Sequence, residues 1–165
     1  MIYRAIIEKS WIYWIVSFAD CEGCLTEGRS RAEALKNAKE ALEDWLETLL
    51  IEGSAPPRPH SREGDAIEVR PQLATVLQIR WRREELELTQ GQLAKRAGVS
   101  QQQIAKLESP DGNPTIATLE KIARALGLRL ELSFSAAKAS RCNSPGPTRT
   151  PADNRPDSCP PSSTK

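Results

Sequence analysis

Three consecutive glutamines, Gln101, Gln102 and Gln103, with Lys106 one turn further on, carry the most specific chemistry in this chain. A glutamine amide offers a donor and an acceptor side by side, the pairing that adenine N6 and N7 present in the DNA major groove. Ser100 stands immediately ahead of them as a helix N-cap, which puts the amides at the helix start, the part that enters the groove first. Gln90 opens the preceding segment, where a helix N-terminus meets a backbone phosphate. The expected DNA-binding set is therefore Gln90, Ser100, Gln101, Gln102, Gln103 and Lys106.

The elements that must position this set are legible from Thr89 to Glu108, TQGQLAKRAGVSQQQIAKLE. Thr89 and Ser100 are caps ahead of apolar-periodic segments. Leu93, Ala94 and Ala97 share one helical face, and Gly98 supplies the left-handed residue that ends the first helix. Val99 tucks between the helices, and Ile104 and Leu107 point inward from the second. A small residue, Gly, an apolar residue and a hydroxyl cap in succession is the spacing of a helix-turn-helix. Pro71 starts a helix that runs to about Glu87 and is expected to pack behind this pair, and Ile116, Leu119, Ile122, Ala123 and Leu126 form a fourth amphipathic helix, stopped by Gly127.

Charge is divided to match. The 165-residue chain has a net charge of +1, yet residues 1–60 hold 7 Lys/Arg against 10 Asp/Glu, and residues 70–130 hold 10 against 6. Phosphate contact belongs in the basic half. The acidic half suits a basic protein partner.

That N-terminal half reads as a small sheet with one helix. Ile2–Glu8 and Trp11–Phe18 are β-branched and aromatic runs that a Lys9-Ser10 turn would pair as a hairpin. Asp20–Gly23 is a turn and Cys24–Gly28 a third strand. Ser30 with Glu33 is a capping box, opening a helix whose buried stripe would be Leu35, Ala38, Leu42, Trp45 and Leu49. Pro56–His60 is an extended connector, and Ala66–Arg70 a short fourth strand. The fold class is thus α+β: a three- to four-stranded antiparallel sheet with one helix, then an all-α domain.

Leu128–Phe134 alternates apolar and polar residues and reads as a strand. Its Leu128, Leu130, Leu132 and Phe134 either pair with the same strand of a second copy, giving a homodimer or higher oligomer, or fold back onto the N-terminal sheet. From Ala136 the chain is rich in Ser and Pro and is expected to be disordered. The expected division is 1–60, a linker with a short strand at 61–70, the DNA-binding and dimerisation domain at 71–135, and a tail at 136–165.

Other chemistry is poorly supported. Cys21 and Cys24 would need two further ligands for a zinc site, so ordinary thiols and no metal are expected. Glu8, Asp20 and Glu22 fit turns and exposed strand positions rather than a two-metal centre, and no nucleophile–base pair or phosphate loop is present, so neither catalysis nor a cofactor is expected. Trp11 and Trp14 fall on opposite faces of one strand; one of them is either a partner-binding anchor or packed at a sheet edge. With no apolar run of about 18 residues and no signal-like N-terminus, a cytoplasmic location without membrane contact is expected.

Two resemblances follow from these segments. Residues 71–127, with LTQGQLAKRAGVSQQQIAKLE and NPTIATLEKIARALG, resemble the Cro/CI-type (XRE) helix-turn-helix family. That likeness implies base contacts from Gln101, Gln102 and Lys106, phosphate contacts from Gln90 and the loop before it, and Gln103 and Ser109 as further participants. Residues 2–59 resemble the HicB antitoxin domain, a trimmed ribonuclease H-like fold, through the opening strand pair, DCEGCLTEG, SRAEALKNAKEALEDWL and the closing Pro-x-Pro. Glu22 stands where that family usually has Pro.

The second resemblance implies an antitoxin that neutralises a HicA-like mRNA-cleaving toxin and represses its own operon at a palindromic operator. Trp11, Trp14 and Glu22 are then the toxin-binding candidates. The alternative is a stand-alone helix-turn-helix regulator whose N-terminal domain only oligomerises.

Overall fold

The computed structural model describes residues 1–110 and 112–131. Four strands, β1 (Ile2–Lys9), β2 (Trp14–Phe18), β3 (Cys21–Gly28) and β4 (Asp65–Glu68), form one antiparallel sheet in the order β3-β2-β1-β4. Helix α1 (Arg31–Ile51) crosses one face, and α2 (Pro71–Glu85), α3 (Gln90–Ala97), α4 (Gln101–Leu107) and α5 (Ile116–Ala125) follow.

The β1–β2 connection departs from the expected two-residue turn. β2 begins at Trp14, so residues 10–13 form a four-residue loop closed by the Ser10 amide donating to the Tyr13 carbonyl at 2.8 Å. Lys-Ser lacks the Gly or Asn that a two-residue turn needs for its positive φ, and the chain takes a longer loop. Trp11 is consequently on the loop, 97% exposed, and not on a strand face opposite Trp14. Trp14 is half-buried against the core, with the Lys9 ammonium 5.8 Å from its ring centre. β3 starts three residues earlier than expected, at Cys21, with an irregularity of register at Ser17/Phe18.

Alternation along the strands places Tyr3, Ala5, Val16, Phe18, Cys21 and Cys24 under α1. The helix opens with half of the expected box: Ser30 Oγ accepts from the Glu33 amide at 3.2 Å, but the Glu33 carboxylate reaches past Ser30 and accepts from the Arg29 amide at 2.9 Å. Its buried line is Ala34, Ala38, Leu42, Leu46 and Leu50, rotated from the expected stripe. Leu35 and Trp45 pack on the flank, and Leu49 is half-buried. The closest approach takes an alanine at Ala34, over Gly28, where a β-carbon would stand 2.4 Å from the Ala34 nitrogen.

The proline connector is held at several points. Tyr3 donates to the Pro57 carbonyl at 2.7 Å, Trp81 Nε1 to the Pro56 carbonyl at 2.8 Å, and Asp20 accepts from the His60 and Ser61 amides. β4 then joins the sheet beside β1, pairing Tyr3 with Ile67. Pro71 takes the first turn of α2, where its missing N–H costs nothing.

Two clusters of buried side chains result. The first joins sheet, α1 and the α2 residues Leu73, Val76, Leu77 and Trp81. The second gathers Ile79, Leu88, Leu93, Ala94, Ala97, Ile104, Leu107, Ile122 and Leu126. α2 thus packs mainly on the sheet-and-helix unit, while its Ile79 reaches the helix-turn-helix behind which it was expected to sit. Ile116, expected on the inner face of α5, is exposed at the first helical position, and Leu119 is half-buried. No described helix is long and apolar enough to cross a membrane.

Candidate nucleic-acid interface

Both helices of the pair begin with complete capping boxes. Thr89 Oγ1 accepts from the Gln92 amide at 3.2 Å while Gln92 Oε1 accepts from the Thr89 amide at 2.8 Å. Ser100 and Gln103 repeat this at 3.2 and 2.9 Å. Each box satisfies two backbone donors that a helix start leaves without partners. Between the helices Gly98 sits at φ +65°, its N–H aimed at the Lys95 carbonyl and the Val99 N–H at the Ala94 carbonyl. A β-carbon there would meet nothing, so backbone conformation alone requires glycine. Val99 packs against the second core, and Ile104 and Leu107 are buried, as expected.

Burying those two residues turns the opposite side of α4 outward: Gln101, Gln102, Ala105 and Lys106 are all exposed. Gln101 leans back over the start of α3, its Oε1 3.5 Å from where a β-carbon on Gly91 would stand. Gln103 is exposed, but its carbonyl oxygen is committed to the Ser100 cap, leaving its NH2 group for other partners. Ser100 is the cap itself. Ser109 donates to the Lys106 carbonyl at 2.8 Å and closes the end of α4.

Gln90 is half-buried and faces inward. Its Nε2 donates to Glu108 Oε2 at 3.0 Å. Glu108 is also gripped by Arg83, Nε to Oε1 at 2.6 Å and NH2 to Oε2 at 3.0 Å, while Arg83 NH1 reaches the Leu88 carbonyl at 2.9 Å. The two side chains are 13% and 3% exposed. This clamp ties α2 to the end of α4 and to the first residue of α3. Sequence reasoning missed it, because nothing in the spacing of residues 83, 90 and 108 marks them as neighbours. The Thr89-x-x-Gln92 and Ser100-x-x-Gln103 boxes, by contrast, carried a readable signal.

On this face Lys106 supplies positive charge, and Lys95, Arg96 and Lys121 are further exposed cations on α3 and α5. Arg124 is exposed too, and pairs with Glu120 at 3.1 Å.

At the other end of the chain the three expected partner residues stand in different settings. Trp11 is at the hairpin tip, Trp14 is half-buried on β2 and Glu22 is exposed on β3. Cys21 and Cys24 are buried in the sheet-helix core. Burial, with Cys24 and Asp20 nearby, pushes the Cys21 thiol up to about 12, and burial pushes Cys24 to about 11. Both are protonated packing groups at neutral pH.

Leu128–Glu131 carries no strand in the single chain. Leu128 instead ends α5, its N–H donating to the Ala123 carbonyl at 2.8 Å beside Gly127 to Arg124 at 3.1 Å. Leu130 is half-buried; Leu132, Phe134 and the tail lie outside the described residues.

A family profile described as "HicB_like antitoxin of bacterial toxin-antitoxin system" matches residues 3–79, and one described as "Helix-turn-helix" matches residues 79–132. The antitoxin HicB 1 of Photorhabdus laumondii is 32% identical over 121 residues, spanning 73% of this chain and 78% of that protein. The chain belongs to the HicB antitoxin family. Antitoxin HicB of Escherichia coli K12 is 31% identical over 72% of this chain and 88% of its own length. An immunity repressor protein of Bacillus phage phi105 is 44% identical over 48 residues, 29% of this chain and 33% of the repressor. The HicB family is one of antitoxins and DNA-binding regulators, and this member joins a HicB-type sheet-and-helix unit to an XRE-type helix-turn-helix.

Proposed function

We propose that this HicB-family chain is an antitoxin that blocks a HicA-like mRNA-cleaving toxin through its sheet-and-helix unit and represses its own operon through its helix-turn-helix. Gln101, Gln102 and Lys106 would read base edges, and Ser100 and Gln103 would set the helix they project from. Gln90, held by Glu108, would offer the α3 N-terminus to phosphate. Two copies, paired through Leu128, Leu130, Leu132 and Phe134, would bind a palindrome with half-sites about one helical turn apart. The observation that supports the reading best is the exposed Gln101–Gln102–Lys106 face on a doubly capped helix pair. The acidic balance of residues 1–60 supports a basic partner for the other unit.

Growth rescue tests the antitoxin half. Inducing the short basic reading frame expected beside this gene should arrest growth, and co-expressing the chain should restore it. Arrest that persists with the chain fully expressed contradicts neutralisation and leaves a regulator whose N-terminal unit serves only for assembly.

A further inference from the structure

The two buried clusters are separate, so the join between them falls to α2. That helix gives Val76, Leu77 and Trp81 to the first cluster and Ile79 to the second. Units with separate cores in one chain ordinarily shift relative to each other. Here the stretch Arg80-Trp81-Arg82-Arg83 opposes such movement, because each of its four side chains takes hold of a different segment.

Three of those segments are helix ends, where carbonyls lack partners and partial negative charge collects. α1 has no basic residue in its last turn. Arg80 reaches it from α2 instead, donating through NH1 to the Leu50 carbonyl at 3.4 Å and through NH2 to the Gly53 carbonyl at 2.5 Å. Arg82 Nε donates at 3.3 Å to the carbonyl of Leu126, the C-cap of α5. Arg83 grips Glu108, the C-cap of α4. Trp81 holds the proline connector at Pro56, and Arg58 of that connector lies 5.4 Å from the centre of the Trp81 ring.

Two carboxylates bind the arginines together. Glu84 accepts from Arg80 at 3.0 Å with Arg83 3.8 Å away, and Glu85 joins Arg82 at 2.9 Å to Arg58 at 2.5 Å. Arg80 is 7% exposed, so water does not replace its partners. A guanidinium suits this place because one planar group serves two carbonyls and a carboxylate at once.

We propose that Arg80 and Arg82 form a lock between the two units, one holding the end of α1 and the other the end of α5, so that both units open as a single body. A ligand bound to either unit then protects the other against opening. Loosening the first core likewise loosens the reading helices. Neither arginine belongs to a buried apolar cluster, so removing the lock leaves both cores filled.

The test is calorimetry with native-state hydrogen exchange on the full chain. Unsubstituted, it should melt in one transition whose calorimetric and van't Hoff enthalpies agree. Leu42→Ala, inside the first core, should speed exchange of the Leu46 amide in α1 and the Ile104 amide in α4 by the same factor, roughly a hundredfold. In Arg80→Met/Arg82→Met the melt should split in two. Adding Leu42→Ala to that variant should speed Leu46 alone and leave Ile104 within about twofold. Should the double variant fail to fold, Arg82→Met takes its place; that side chain is 37% exposed, and its loss should still free Ile104 from the state of Leu42. Two transitions in the unsubstituted chain overturn the lock, as does an Ile104 rate that ignores Leu42→Ala. A single transition that survives loss of the arginines also overturns it, and assigns the coupling to Ile79 and the continuous α2 backbone.

Discussion

The two units of this chain solve opposite problems with opposite materials. The sheet-and-helix unit has a continuous apolar interior, from Tyr3 and Val16 through Leu42 and Leu46 to Leu77, and can leave apolar residues on its outer surface. The helix-turn-helix has short helices and a smaller core, and it relies on polar devices to fix them: two capping boxes, Gly98, and the Arg83–Glu108–Gln90 clamp. A reading surface must hold a few side chains at defined positions, so directional bonds suit it. A protein-docking surface is served by area and charge.

If that contrast is right, the largest single effect in the second unit comes from the clamp. Glu108→Ala leaves Arg83 buried without its carboxylate and should cost about 3–5 kcal/mol, whereas the double change Arg83→Met/Glu108→Leu should recover much of it. Chemical denaturation of the three chains decides this; a small loss in the single variant would make the clamp incidental. In the first unit the matching probe is apolar. Leu42→Ala, at a fully buried position, should cost about 2–5 kcal/mol, with no second-site charge change able to restore it.

Smaller effects sharpen the same division. Gly98→Ala forces a side chain into left-handed backbone and should cost roughly 1–2 kcal/mol, lowering the melting temperature.

Smallest at neutral pH is the thiol effect in the first unit. With Cys21 raised to about 12 and Cys24 to about 11, the stability these protonated groups contribute is fully present below the unfolded thiol value of 9.0. It is lost as pH climbs from there through the folded values, because only the unfolded chain releases the protons readily. Iodoacetamide should accordingly alkylate both far more slowly in the folded chain than in denaturant at pH 8. Equal rates would contradict their burial.

How much of this was legible in the sequence differs between the units for physical reasons. In Thr89–Glu108 the determinants are local: a hydroxyl cap, a left-handed glycine and helical periodicity act within a few residues, and the structure follows them closely. Gln103 shows the limit, since one residue both fits a reading face and completes the Ser100 box, and only geometry reveals that its carbonyl is spoken for. In the N-terminal unit what decides position is tertiary. Which side of α1 is buried depends on how closely the helix can approach Gly28, which favours Ala34 over Leu35 and turns the stripe. The hairpin length followed from a missing glycine, a local signal masked by the β-branched runs on either side, and it moved Trp11 from a strand to an exposed tip. Which residues the sheet turns outward is set by the strand register, which pairs residues far apart in sequence.

The central claim is that α4 reads DNA with side chains that the rest of the molecule does not need. Fluorescence anisotropy with the chain's own promoter, comparing the unsubstituted protein with Gln101→Ala/Gln102→Ala, tests it most directly. Both residues are exposed and outside the capping boxes, so the fold and toxin binding should be unchanged. Operator affinity should fall by about 1–3 kcal/mol for each amide–base pairing removed. An unaltered operator affinity in the double variant would contradict the account.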